Sequence, residues 1–437
     1  MTNKETILEK IKSNSEVIGI IGLGYVGLPL AVNFAEAGIK VIGFEKSQAK
    51  ADMINHGTNY IGDIRDAVLR EVVVDKLKLE ATTDATRMKE CDALIIAVPT
   101  PLDKFRKPDM SYIKSACYDI GQNMKAATFV SLESTTYPTT TEDFMLPIIE
   151  KESGLKQGID FWLAYSPERV DPGNKQFHTR NTPKVLGAMS ADGVEIGEAL
   201  YLKAIDSIHK VSSPRVSEMV KILENTYRLI NISLINELAL LAGKMDINIW
   251  EVIEAAKTKP FGFQAFYPGP GIGGHCIPLD PFYLEHIAKK YDFELSMIHA
   301  AGHINMRMPQ YMYIKIATAL NSQKKAVNGS SILFLGVAYK PNINDERESP
   351  ALEIIDITAH KGGLVSYNDP YIPQVQTNEG RSFSSVDLIE KALKDADCVV
   401  LTTNHKDFDV EFIKQHSKLI VDMRNMVEEK GDKVFKL

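Results

Sequence analysis

The chain has 437 residues, of which 44% are hydrophobic and 24% charged, and a formal net charge of −7. That length sets an expectation of two or three globular domains, and the acidic balance argues against nucleic acid or a basic membrane face as partner. No apolar run reaches the ~20 residues of a membrane span, the polar N-terminus has no apolar signal core, and four scattered cysteines without metal spacing fit a reducing cytoplasm and no metal site.

Residues 17–21 are almost all apolar, as a strand buried on both faces of a parallel sheet requires. They run into Gly22-Leu23-Gly24-Tyr25-Val26-Gly27, followed by a helix over 28–37 and a second strand over 40–44 that ends in Glu45. Strand, glycine turn, helix and an acid about 20 residues on make a dinucleotide fingerprint with its context in place. Gly22 suits the tight turn, Gly24 lets a pyrophosphate approach, and Gly27 lets helix and strand pack. Glu45 is suited to both ribose hydroxyls and would repel a 2′-phosphate, which favours NAD, with adjacent Lys46 weakening the discrimination.

Residues 91–99 read as another buried strand, and its rim, Pro99 and Thr100, lies where cofactor contacts usually fall. A strand over 127–133 leads to Ser134 and Thr135, whose hydroxyls suit either helix caps or a ligand. Residues 161–165 read as the last strand of this half, with Glu168 and Arg169 beyond it, either a solvated pair or site residues. Ser213 and Pro214 then open a helix of ~30 residues, about 45 Å long, that runs to Gly243. It is apolar around much of its circumference, so it is expected to be buried between domains or subunits. Within it Lys221, Asn225 and Arg228 form a polar stripe, with a ligand-facing role favoured over a solvated one.

A glycine- and proline-rich loop follows, Gly269-Pro270-Gly271-Ile272-Gly273-Gly274-His275-Cys276-Ile277-Pro278-Leu279-Asp280. It is approached through Phe266 and Tyr267. A thiol next to an imidazole can be held partly as the nucleophilic thiolate. Helices are expected around 280–307, and the polar stretch 322–330 reads as a linker. From 331 a second α/β unit mirrors the first: 364–369 answers 41–45, 397–403 answers 91–100, and 419–424 is taken as its last strand. Its first turn, Gly336-Val337-Ala338-Tyr339-Lys340, has lost the glycine pattern. Lys340, Asp345, Arg347 and Arg424 at its rim suit another phosphate-bearing ligand.

These parts allow covalent oxidation chemistry. A thiol beside a nicotinamide could capture an aldehyde as a thiohemiacetal, which loses a second hydride to give a thioester that water hydrolyses. Lys221 and Asn225 are candidates for stabilising the oxyanion. Asp280, Lys221 and Glu168 are candidates for moving protons, and Thr135 for holding water.

The motifs Gly22–Gly27, Glu133-Ser134-Thr135, Ser166-Pro167-Glu168, Lys221 with Asn225, Gly273 to Asp280, and Lys340 to Pro350 resemble the UDP-glucose/GDP-mannose dehydrogenase family, in order and over nearly the whole chain. The resemblance implies an α/β fold of two Rossmann-like doubly wound domains joined by a long central helix. It implies an NAD-binding domain over 1–210, a helical dimerisation and catalytic-loop region over 211–310, and a sugar-nucleotide domain over 311–437. It also implies a cytoplasmic homodimer, built through the central helix, that oxidises a sugar C6 alcohol to a carboxylate with two NAD. Carried over, the catalytic residues are Cys276, Lys221, Asn225, Asp280, Glu168 and Thr135. NAD falls to Gly22, Gly24, Tyr25, Val26, Gly27, Glu45, Pro99, Thr100 and Thr135. The UDP-sugar falls to Glu168, Arg169, Lys221, Asn225, Phe266, Tyr267, Gly273, Lys340 and Arg347. The cysteine loop with its flanks is most similar to the UDP-N-acetylhexosamine branch, and UDP-N-acetylglucosamine is the expected substrate, with UDP-N-acetylmannosamine and UDP-glucose as alternatives. One departure is Glu45, where the family usually carries aspartate.

Overall fold

The short apolar runs form strands and the amphipathic stretches between them cross over as helices, which is the arrangement that buries parallel strands on both faces. The structure is a computed structural model that describes every residue except 63, 104–106, 172, 173, 175, 275, 429 and 430. Its contacts divide the chain into two units: Met1–Glu224 with Phe282–Phe293, and Asn225–Pro281 with Glu294–Leu437.

The first unit holds eight strands: β1 (Val17–Ile21), β2 (Lys40–Phe44), β3 (Leu79–Thr82), β4 (Ala93–Ile96), β5 (Thr128–Leu132), β6 (Phe161–Tyr165), β7 (Lys184–Ala188) and β8 (Ile208–Val211). They lie in the order β3-β2-β1-β4-β5-β6-β7-β8, parallel except where β7 turns back against β6. Strand order reverses between β1 and β4, so a ligand crevice is expected outside their carboxyl ends. Two hydrophobic clusters cover the two faces of this sheet, one around Ile18, Ile20 and Phe34 and one around Leu94, Ile96 and Leu163.

The second unit carries β9 (Ser331–Leu335), β10 (Leu364–Asn368), a small hairpin of β11 (Gln374–Gln376) and β12 (Ser382–Ser384), then β13 (Cys398–Leu401), β14 (Ile420–Asp422) and β15 (Val434–Lys436). The main sheet is parallel, in the order β10-β9-β13-β14-β15, and repeats the reversal between β9 and β13. Two doubly wound Rossmann-type sheets are therefore present, as the sequence leads one to expect.

Three sequence expectations need correcting. Strand 161–165 is not the last of its half, because β7 and β8 follow it. Strand 419–424 is not the last of its half, because β15 pairs with β14. The helix begun in 280–307 does not stop there: Ser296–Ser322 runs as one helix through Pro309. β7, Lys-Val-Leu-Gly-Ala, is buried and apolar after its first residue, but the two edge strands share a cause. β8 is Ile-His-Lys-Val with exposed polar centres and β15 spans three residues, so neither shows the apolar run that marks a central strand. The Pro214–Lys244 helix has 31 residues, as expected; its first part belongs to the first unit and its remainder to the second.

Candidate functional site

In the first unit the dinucleotide turn is built by sterics. Gly22 sits at φ +91 and its amide donates to the Phe44 carbonyl at 2.9 Å, which ties the turn to β2. A Cβ on Gly27 would collide with the Gly22 carbonyl oxygen, so the helix Gly27–Glu36 meets the turn only because that position has no side chain. A Cβ on Gly24 would meet nothing within 4 Å, which leaves space outside the turn for a bulky anion. The helix starts with no side-chain cap; its Leu28 amide donates to the Gly24 carbonyl at 3.0 Å and Pro29 has no amide hydrogen, which fits proline's preference for a first helical turn. Glu45, half-buried at the end of β2, accepts from Leu23 N at 3.4 Å and Ser47 N at 3.1 Å. Tyr25 is exposed, and Tyr60, which the sequence did not single out, donates to the Leu23 carbonyl at 2.7 Å. This turn, its helix start and the Glu45 carboxylate fit NAD.

The rims of β4 and β5 are laced together. Ser134 Oγ donates to the Val98 carbonyl at 2.6 Å and Thr100 Oγ1 to the Thr135 carbonyl at 2.8 Å, while Tyr283 OH donates to the Thr100 carbonyl. Pro99 is exposed and Thr135 half-buried. Beyond β6, the Glu168 carboxylate accepts from its own turn, Arg169 N and Val170 N, both at 2.8 Å. The buried Lys221 Nζ donates to the Glu168 carbonyl at 2.6 Å, so these two predicted residues do meet. Arg169 pairs with Glu224 at 2.6 Å and donates to the Pro183 carbonyl at 2.7 Å. It is a half-buried member of an ion pair, while Arg228, the far end of the expected stripe, is exposed.

In the second unit Asn225 and Asp280, 5% and 3% exposed, join through a 2.5 Å hydrogen bond from Nδ2 to Oδ2. The Asp280 amide donates to the Cys276 carbonyl at 2.9 Å, which closes a turn at the head of the helix Asp280–Ala288 and leaves Cys276 exposed. The other three cysteines are buried, and burial pushes their thiols up; that of Cys91 and of Cys117 is pushed up to about 12. His275, the imidazole expected beside the thiol, lies outside the described residues.

The glycine loop before Cys276 is held along its length. Asn236, fully buried, accepts from Gly269 N at 2.9 Å, Asn305 Oδ1 accepts from Ile272 N at 2.7 Å, and Gly274 N, at φ +81, donates to the Arg347 carbonyl at 3.1 Å. A Cβ on Gly273 would strike Tyr339 and the Glu348 carbonyl, so that glycine lets the loop lie on segment 339–348. The same segment carries half-buried Lys340 and exposed Arg347, whose guanidinium bonds Asp345 at 2.8 and 2.6 Å. Arg424 also flanks Gly269; burial pushes its guanidinium down to about 10. Phe266 packs edge-on to Tyr227, with centroids 5.7 Å apart. Tyr267 stacks on Trp250 at 5.9 Å and donates to Glu254 at 2.8 Å.

Asp369 follows β10 as Glu45 follows β2 and likewise accepts from the turn after the first strand and from the amide two residues on, but it is buried and holds two further donors. Its Oδ2 accepts from Val337 N at 2.7 Å, Ala338 N at 3.1 Å and His405 Nε2 at 3.0 Å, and its Oδ1 from Tyr371 N at 2.9 Å. Buried between the turn after β9, its own turn and His405, this acid acts as an internal clamp. Sequence reasoning also passed over Lys184, Tyr201 and Glu218. The signal that could have found Lys184 is a charge heading an otherwise apolar strand.

Three successive regions of the chain match the UDP-glucose/GDP-mannose dehydrogenase family: its NAD binding domain over residues 16–205, its central domain over 215–307 and its UDP binding domain over 333–429. Protein CapL of Staphylococcus aureus is 36% identical over 95% of each chain. A UDP-N-acetyl-D-glucosamine 6-dehydrogenase of Pseudomonas aeruginosa is 32% identical over 94% of this chain and 97% of its own. The solved structure of a UDP-D-ManNAc dehydrogenase from Pyrococcus horikoshii aligns over 96% of this chain and 98% of its own, with TM-score 0.88 and 34% identity. No helix among the described residues is long and apolar enough to cross a membrane.

Proposed function

Because the chain belongs to the UDP-glucose/GDP-mannose dehydrogenase family, we propose that it oxidises the C6 hydroxymethyl group of UDP-N-acetylglucosamine to a carboxylate. The observation that carries the reading is an exposed thiol, Cys276, one turn from the buried Asn225–Asp280 pair and on a loop seated against the segment that bears Lys340 and Arg347. The overall reaction balances as RCH₂OH + 2 NAD⁺ + H₂O giving RCOO⁻ + 2 NADH + 3 H⁺. NAD, when bound, accepts the hydride of each oxidation.

The chain's own residues divide the remaining work. A base takes the hydroxyl proton as the alcohol becomes aldehyde; Lys221 or Asp280 fills that role. Cys276 sulfur adds to the aldehyde carbon, and the thiohemiacetal becomes a thioester at the second oxidation. Lys221 and Asn225 stabilise the oxyanions by charge and amide donation. Water held by Thr135 then adds to the thioester carbon with Glu168 as base, and the C–S bond breaks. Lys340 and Arg347, both inside the UDP-binding match, take the diphosphate, while Arg169, Gly273, Phe266 and Tyr267 border the sugar nucleotide. The domain division 1–210, 211–310 and 311–437 follows these roles. The thiol must stay reduced, which places the reaction in the cytoplasm.

Leu223, Tyr227, Leu234, Leu238 and Leu241 recur along one helix and are exposed apolar side chains, and we propose that they form a homodimer face. UDP-N-acetylmannosamine is the second reading for the substrate, favoured by the Pyrococcus horikoshii structure. Limiting UDP-N-acetylglucosamine, UDP-N-acetylmannosamine and UDP-glucose, each with excess NAD, test both. Two NADH per UDP-N-acetylglucosamine is the expected yield; one NADH per sugar would remove the thioester route.

A further inference from the structure

A buried charge pair lies behind the rim of the first sheet and none of the roles above uses it. Lys184 Nζ meets Glu133 Oε2 at 2.7 Å, with the two side chains 5% and 0% exposed. The Tyr201 hydroxyl donates to Glu133 Oε1 at 2.7 Å and stands 3.0 Å from Ser131 Oγ. Lys184 Nζ also reaches the Pro167 carbonyl at 3.4 Å and sits 5.2 Å from the Tyr201 ring centroid. Burial pushes the Glu133 carboxyl up, with Lys184 pulling the other way and the nearby Glu168 charge adding to the rise.

Buried ion pairs are poor sources of net stability, because desolvation cancels most of their attraction and an apolar pair of similar volume often does as well. This pair instead joins two turns. Glu133 ends β5 two residues before Thr135, and Pro167 immediately precedes Glu168. Each turn is pinned on its outer side, the first by Ser134 to Val98 and Thr100 to Thr135, the second by Lys221 to the Glu168 carbonyl. Beyond the β5–β6 ladder, which ends with the Ser166 amide on the Leu132 carbonyl at 3.0 Å, the Glu133–Lys184 pair is a side-chain link between them: its carboxylate belongs to one turn, and its ammonium also holds the carbonyl of the other.

We propose that Glu133 and Lys184 are positioning residues that fix the Thr135 turn against the Glu168 turn and so set the rate of thioester hydrolysis. The proposal rests on the reading of Cys276 chemistry above. In that step water adds to the thioester carbon, the C–S bond breaks, the Cys276 sulfur leaves as thiolate, and the water protons pass to Glu168 and on to solvent. Both oxidations precede it, so a fault confined to this link leaves the first NADH phase intact and slows release of the acid.

The test compares Lys184→Met, Glu133→Gln and the double variant, following stopped-flow NADH formation, the intact mass of the protein during turnover, NAD affinity by fluorescence titration, and Tm. Each single variant leaves a buried charge without its partner and is expected to lower Tm; the double variant removes both charges and is expected to regain it. Acid formation in the double variant is nevertheless expected to stay about tenfold or more below wild type, with the first NADH phase within about threefold and a sugar adduct on Cys276 accumulating. A double variant whose acid formation recovers along with its Tm, without adduct, overturns the proposal. If the double variant does not fold, Tyr201→Phe, which removes one donor to Glu133, must show the same selective slowing in smaller degree, and unchanged hydrolysis there overturns it. A wild type that yields one NADH per sugar and no adduct sinks the thioester reading and the proposal together. A wild type that yields two NADH beside an unaffected double variant sinks the proposal alone.

Discussion

Replacing Asn225 by aspartate keeps shape and changes one group. The amide Nδ2 lies 2.5 Å from Asp280 Oδ2, and both side chains are buried. The variant Asn225→Asp would therefore set two carboxylates at hydrogen-bond distance. At ~3 Å and an effective dielectric of about 20 their repulsion is about 5 kcal/mol, equivalent to about four pH units. Two carboxyls with ordinary values near ~4 would then hold a shared proton with an apparent value of about 8. The sign follows directly: proton affinity raised in the folded state means the penalty is absent at low pH and grows as pH rises through that value. Below it, the protonated new carboxyl donates to Asp280 as the amide does. The assay is the ratio of variant to wild-type NADH formation at saturating UDP-sugar from pH 6 to 9, with thermal midpoints in the same buffers. The ratio should be highest at the acid end and fall toward tenfold per pH unit above about pH 8. A ratio that is flat across the range, or one that climbs with pH, would refute the placement of Asn225 against Asp280.

Other perturbations test separate parts of the molecule. Gly27→Ala drives a methyl into the Gly22 carbonyl, and should weaken NAD binding and cost about 1–3 kcal/mol of stability; an unchanged fluorescence titration with NAD would contradict that geometry. Glu218 accepts from Thr139 N at 2.7 Å and Thr141 N at 2.9 Å, and burial pushes its carboxyl from 4.5 up to about 7. A raised acid contributes stability below its unfolded value and loses it as pH rises through the folded one. The wild-type midpoint, measured against Glu218→Gln, should therefore fall between pH 5 and 8, by up to about 3 kcal/mol in stability; a constant offset would disprove it. Leu234→Glu with Leu238→Glu places charges on the exposed apolar stripe proposed as a homodimer face; analytical ultracentrifugation should find the wild type as a dimer and the variant as a monomer at the same concentration, and a monomeric wild type would refute the proposed face.

Elements that close on themselves within a few dozen residues could be read from the chain alone. The first βαβ unit is of this kind, since its strands, its glycine turn and Glu45 follow in order and the sterics of Gly22 and Gly27 act locally. The Pro214–Lys244 helix and the short loop from Gly269 to Asp280 announce themselves in the same way, by period and by glycine density. Edge strands do not, because β8 and β15 are short and partly polar, and a sheet edge accepts sequences that a sheet centre would not.

The sequence by itself determined the fold class, the dinucleotide turn and the glycine-rich loop that carries Cys276, because periodicity, turn chemistry and residue spacing are local properties. Tertiary structure alone decided which side chains meet. Asn225 finds Asp280 across 55 residues, Lys184 finds Glu133 across 51, and Glu218 caps Thr139 across 79. It also decided that Asp369, which answers Glu45 in the second sheet, is buried against the turn after β9 and His405. Such pairings depend on where distant strands come into register and on which buried donors need an acceptor, and no local pattern in the chain encodes either.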